Sequence, residues 1–360
     1  MRAPRLAIVV ATVCGLATVI DLQAGKKMGM QPPLTSSSTR AEGPMPALDG
    51  AVSWLNSKPL STAELRGKVV LVDFWTYTCI NWQRTLPHVR AWADKYKSQG
   101  LVVIGVHTPE FRFERDVDNV RAASARLGVD YPVAVDSEQA LWRAFHNEYW
   151  PALYIVDARG SIRYHHFGEG RYEQSEKVIQ QLLVEAGAKD VDTSLVRVDG
   201  AGSLADGDWG DLRSPETYVG AARAENFAGP GGLTVGRSKL YATPEQLRLN
   251  QWALAGDWKV EDEAATLERA NGRIGFRFHA RDLHLVMGPA ARGKPVPFRV
   301  LIDGKPPGPA HGSDVDAEGK GMLVEQRMYQ LIRQPKPIVD RQFEIEFLEP
   351  GSQVYSFTFG

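Results

Sequence analysis

Cys79 stands in the stretch Val-Asp-Phe-Trp-Thr-Tyr-Thr-Cys-Ile-Asn-Trp, residues 72–82, and is the most pointed chemical feature of the chain. The other of the two cysteines, Cys14, lies inside an apolar run at 6–20. That run follows Arg2 and Arg5, is stopped by Asp21 and has Ala24 as a cleavage point, the pattern of a secretory signal peptide. Val13 is not the small residue that lipoprotein processing wants before a cysteine, so Cys14 is expected to leave with the signal. A single thiol then remains in an exported chain, which makes no internal disulfide and is reactive or paired with another molecule. The run at 69–75 reads as a strand buried on both faces, and 80–97 as the helix after it. A cysteine at that junction meets unpaired backbone N–H groups and the positive end of the helix dipole, both of which favour thiolate. The chemistry to expect is attack on a disulfide, or oxidation by peroxide.

Other groups with chemical potential read as structural. His165 and His166 are adjacent on an expected strand, point to opposite faces and do not chelate together, so no metal is expected. Residues 229–232, Gly-Pro-Gly-Gly, lack the lysine of a phosphate loop and read as a turn. Trp209, Tyr218, Trp252 and Trp258 are candidates for stacking on a sugar, although aromatic residues of a β-sandwich more often fill its core. The formal charge of −1 and 43% hydrophobic content describe an ordinary globular protein with no basic footprint for nucleic acid.

The elements that must carry Cys79 alternate along the chain. Strands are expected at 69–75, 101–106 and 131–135, and helices at 80–97 (with Pro87 inside), 113–127 and 137–145, the last capped by Ser137. A hairpin follows at 152–156 and 161–167, then a helix at 172–186. Beyond residue 205, period-two alternation at 274–287, 297–303, 342–348 and 354–359 predicts an antiparallel β-sandwich. The expected order is a signal peptide (1–24), a flexible tether (25–47), an α/β domain (48–187), a linker (188–204) and the sandwich (205–360). Export to the periplasm or medium follows, with anchoring by an uncleaved leader as the alternative, although about 15 apolar residues fall short of a spanning helix.

The residues around Cys79 resemble thioredoxin: Asp73-Phe74-Trp75 precedes it at the family's spacing and Pro87 falls eight residues after it. Thr76 to Asn81, His107 to Glu110, Trp150 to Ala152 and Gly168 to Gly170 look like the TlpA-like redoxins of the DipZ type, and the likeness runs on through Pro215 to Tyr218, Gly256 to Trp258 and Phe276 to Leu285. The resemblance implies a thioredoxin-like α/β fold followed by a jelly-roll-like domain similar to carbohydrate-binding modules. It makes Asp73 the buried carboxylate serving a second cysteine and Pro151 the cis-proline facing the site, and the substrate groove is expected at Trp75, Trp82, Trp150 and Pro151. This chain departs at one point, where Trp82 replaces the second cysteine. The two-cysteine cycle is then closed to it, and a single-thiol exchange site, needing no cofactor and acting on a thiol or disulfide of a partner protein or small molecule, is expected. Two alternatives stand beside it: a non-catalytic envelope protein binding peptide or glycan, and a peroxidase. Thr76-x-x-Cys79 reproduces the end of the peroxiredoxin signature, but Val72 stands where that signature wants proline.

Overall fold

The computed structural model describes residues 40–360; the expected signal peptide and most of the expected tether lie outside the described residues. The first half of the chain builds one mixed sheet from β1 (Gly43–Pro44), β2 (Ser53–Leu55), β3 (Val69–Trp75), β4 (Leu101–His107), β5 (Val133–Val135), β6 (Ala152–Val156) and β7 (Ser161–Phe167). Its order is β1-β7-β6-β3-β4-β5-β2, with β3 parallel to β4 and antiparallel to β6. β3 is central and all seven of its residues are buried, as its unbroken apolar run requires. Its side chains alternate: Val69, Leu71 and Trp75 join the core under α1 (Ile80–Tyr96), α2 (Val117–Leu127) and α4 (Tyr172–Glu185), while Val70, Val72 and Phe74 join the core under α3 (Ala140–Ala144). Asp73 falls on the α1 side, which puts a carboxyl group beneath the helix that starts at Cys79.

Several boundaries differ from the sequence reading. Residues 43–44 pair with β7, and Met45 and Leu48 are buried, so the sheet begins inside the stretch read as tether. The helix expected at 113–127 is two pieces, a short 3-10 turn at Arg112–Arg115 and α2, divided at Asp116, whose carboxylate accepts from Asp118 N. Ser137 does not cap α3. Its hydroxyl donates to Arg115 O, and Asp136 serves the helix instead, accepting from the amides of Leu141 and Trp142 at 2.9 Å each.

The strands of the second half pair antiparallel with one another. Strands at Trp252–Val260, Gly272–Phe278, Asp282–Pro289, Val296–Ile302, Arg327–Arg333, Arg341–Phe347 and Ser352–Phe359 close over a core that includes Trp252, Trp258, Phe276, Phe298, Phe347 and Phe357. Strand Trp252–Val260 serves both walls, pairing with Gly272–Phe278 through its first half and with Ala265–Leu267 through its second. The turn between the halves is at Gly256, with φ +98° and Gly272 Cα 3.0 Å from where a Cβ would stand. Among the sugar-stacking candidates, Trp252 and Trp258 are wholly buried and Tyr218 lies under Arg223, while Trp209 remains 49% exposed. Among the described residues, no helix is long and apolar enough to cross a membrane.

Candidate functional site

β3 delivers the chain to the site and α1 takes it away. Cys79 is the N-cap of α1 with extended backbone (φ −75°, ψ 114°), and its carbonyl accepts the first helical bond from Gln83 N at 3.0 Å. The peptide between Trp150 and Pro151 is cis and leads into β6, next to β3. The Cys79 thiol points across this junction and donates to Trp150 O at 3.8 Å. The Trp150 indole is itself held, donating to Thr108 O at 3.1 Å and packing against Trp142. Cys79 is half-buried and Pro151 buried, whereas Trp75 and Trp82, expected in the substrate groove, are fully buried against each other and do not line it.

Trp82, one turn into α1, is completely buried and stacks on Trp75 with ring centroids 4.2 Å apart and planes 20° from parallel. Its indole N–H donates to Asp73 Oδ2 at 3.0 Å. The position three residues beyond the thiol is thus filled by a ring whose polar atom is spent on the buried carboxyl. Burial pushes Asp73 up to about 7, with the Trp82 and Tyr131 donors pulling the other way. Beside this stack His107 is fully buried between Trp75 and Tyr77, and burial drops it to about 3, so its imidazole is neutral.

The thiol itself departs from the expectation of a helix-activated thiolate. The backbone N–H groups of Trp82 and Asn81 do favour the charged form, but burial outweighs them, and Glu216 and Glu110 add to its effect, so the Cys79 thiol is pushed well up. Cys79 packs against the core of the first half, and the C-terminal half covers its neighbour. Ile80, the first residue of α1, packs with Phe111 against Val286, Met328 and Tyr355 of the sandwich. Glu110 accepts from Tyr218 Oη at 2.6 Å and from Arg223 at 2.9 Å, and the Arg223 guanidinium lies 3.6 Å above the Tyr218 ring. Burial of its carboxyl and then the Glu110 charge push Glu216 up, although the residue as a whole is exposed.

Glu114 is a site residue that the sequence reading missed. It is wholly buried, accepts from Thr78 N and Thr78 Oγ1, and is pushed up to about 7 by burial. A lone glutamate in a charged stretch carries no periodic signal, and only the fold brings it to Thr78, 36 residues away. Arg84 of α1 is a second case, a buried guanidinium paired with Glu169 at 3.3 Å. His165 and His166 are spent separately, on Glu42 and on Glu169 O, and among the described residues no group of three or more His, Cys, Asp or Glu is placed to hold a metal.

Residues 45–165 match the AhpC/TSA family and residues 214–360 the thioredoxin like C-terminal domain. Thiol-disulfide oxidoreductase YkuV of Bacillus subtilis is 34% identical over 142 residues, covering 39% of this chain and 95% of YkuV. The chain belongs to the thioredoxin-like family of thiol-disulfide oxidoreductases. Protein DipZ of Mycobacterium tuberculosis is 37% identical over 324 residues, which extends this redoxin kinship over 88% of the chain. The chain spans less than half of DipZ, 43% of its length. A thioredoxin-like protein solved in its oxidized form is 34% identical, covering 40% of this redoxin and 96% of that chain with a TM-score of 0.37.

Proposed function

We propose that this redoxin is a single-thiol exchange protein acting outside the cytoplasm through Cys79. The observation that carries the reading is the stacked Trp75–Trp82 pair bonded to Asp73, which leaves Cys79 as the thiol of a thioredoxin-type groove at Trp150 and Pro151. In the forward step the Cys79 thiolate, its proton lost to solvent, attacks one sulfur of a partner disulfide, giving Cys79–S–S–R and releasing R′–S⁻, which takes up a proton. With no second thiol in α1, an outside thiol attacks that mixed disulfide, restores Cys79 and carries R away as R–S–S–R″. The signal pattern at 1–24 supports export.

The test is insulin reduction with dithiothreitol as the outside thiol, comparing the parent with Cys79→Ser and Trp82→Cys. The parent is expected to accumulate a mixed disulfide at Cys79, visible by mass, and to turn over slowly. Trp82→Cys is expected to raise turnover about tenfold or more by supplying a resolving thiol, while losing about 2–4 kcal/mol of stability to the emptied ring volume. A parent that forms no mixed disulfide at pH 9 under excess disulfide ends the proposal, as does a folded Trp82→Cys protein as inert as the parent.

A second reading, a binding protein on the redoxin frame, is favoured by the burial that holds the thiol protonated. It requires that Cys79→Ser retain every partner the parent retains.

A further inference from the structure

Four donors converge on Glu114. Oε1 accepts from Thr78 N at 3.3 Å and Thr78 Oγ1 at 2.7 Å, and Oε2 accepts from Glu110 N at 2.9 Å and Phe111 N at 3.0 Å. Four accepted bonds fill the capacity of a carboxylate, which is how so polar a group is tolerated in a dry interior. Thr78 is the residue before Cys79, in a segment outside any helix or strand, so its backbone direction is set by these partners. Glu110, tied to the same carboxylate through its amide, extends its side chain the other way, to Tyr218 and Arg223 of the C-terminal half. An unbroken line of polar contacts therefore runs from the sandwich to the residue that precedes the thiol.

We propose that Glu114 is the positioning residue of Cys79, and that the C-terminal domain holds the thiol in its half-buried seat through the relay Tyr218 and Arg223, Glu110, Glu114, Thr78. The inference rests on Cys79 being the reacting group. Its physical basis is that a thiol seated against Trp150 O and packed on the first-half core is released toward water when the loop before it loses its anchor. The C-terminal domain acts on reactivity in this way without touching the sulfur.

The experiment follows iodoacetamide alkylation of Cys79 in the full chain from pH 6 to 10, with thermal unfolding in parallel. Tyr218→Phe, which removes one hydroxyl, is expected to speed alkylation at pH 8 about threefold and to lower the pH midpoint at unchanged Tm. Glu114→Gln is expected to speed it about tenfold, and the double variant to be no faster than Glu114→Gln alone, because members of one relay are not additive. The sign decides between mechanisms. A purely through-space effect predicts slower alkylation in Tyr218→Phe, since the Glu110 charge is then less neutralised. Slower or unchanged alkylation, or additive gains, overturns the relay. Should Glu114→Gln not fold, the sign of the Tyr218→Phe change decides by itself. Alkylation needs no disulfide partner, so a relay seen here alongside failed insulin exchange counts against the exchange reading alone.

Discussion

At the scale of single residues, the balance around Cys79 is one of burial against helix N–H groups, and burial wins. Alkylation of the parent is therefore expected to climb roughly tenfold per pH unit through pH 7–9 with no plateau, as a thiol titrating above that range requires. A plateau by pH 8, followed by mass spectrometry, contradicts this. Asp73 gives a second expectation. Its folded-state value near 7 lies above its ordinary 3.8, so the folded form binds the extra proton and stability falls as pH rises from about 4 to 7, levelling beyond. Asp73→Asn keeps an oxygen for the Trp82 N–H and removes the titration, so its Tm is expected to fall less over that interval than the parent's. Cys79, Asp73 and Trp82 were all readable as a group from spacing and resemblance. The protonated state of the thiol was not, because it is imposed by burial, to which the sequence-distant Glu216 and Glu110 add.

At the scale of elements, period and burial agree for the regular strands and helices and part at their ends. Asp136 rather than Ser137 caps α3, and its Oδ2 also receives the Thr108 hydroxyl at 3.0 Å. Asp136→Ala is expected to cost about 1–2 kcal/mol in urea unfolding, as loss of a cap with several bonds does, whereas Ser137→Ala loses only a bond to Arg115 O. Adjacent cap candidates cannot be told apart by residue type, since which oxygen reaches the helix amides depends on the exit angle of β5. Helix α1 shows the reverse limit. Its polar residues Gln83, Arg84 and Thr85 are buried together with its apolar face, which no amphipathic pattern forecasts.

At the scale of the whole molecule, the two halves are tightly docked. The stretch read as a linker follows the back of α1 and α4: Gln99 reaches Asp190 O, Lys95 reaches Ser194, and the buried Glu176 accepts from Tyr96 Oη and Val196 N. Glu176→Ala is expected to loosen residues 190–197 and raise nicking there by trypsin at Arg197, with α4 otherwise retained. Arg84 stands against Gly360 so closely that a Cβ there would meet its Nη2 at 1.8 Å. Across the other side of the junction run Arg292 to Asp116 and Arg126 to Glu325, exposed pairs worth about 0–1 kcal/mol each. The apolar cluster at Ile80 is the stronger tie, and Met328→Asp, by placing a charge in it, is expected to open the junction and speed Cys79 alkylation.

The sequence by itself determined the strand-to-helix junction that carries Cys79 and the tryptophan three residues beyond it, because strand period, helix period and motif spacing are local properties of the chain. It also determined the change from mixed α/β to antiparallel β in the second half, through the change from mixed periods to period two. Only the tertiary structure decided the electrostatic state of Cys79, the anchoring of its loop by Glu114, and the packing of its neighbour Ile80 under Val286, Met328 and Tyr355. Those depend on desolvation and on hydrogen bonds between residues tens to hundreds of positions apart, and such proximity exists only once the two halves have packed.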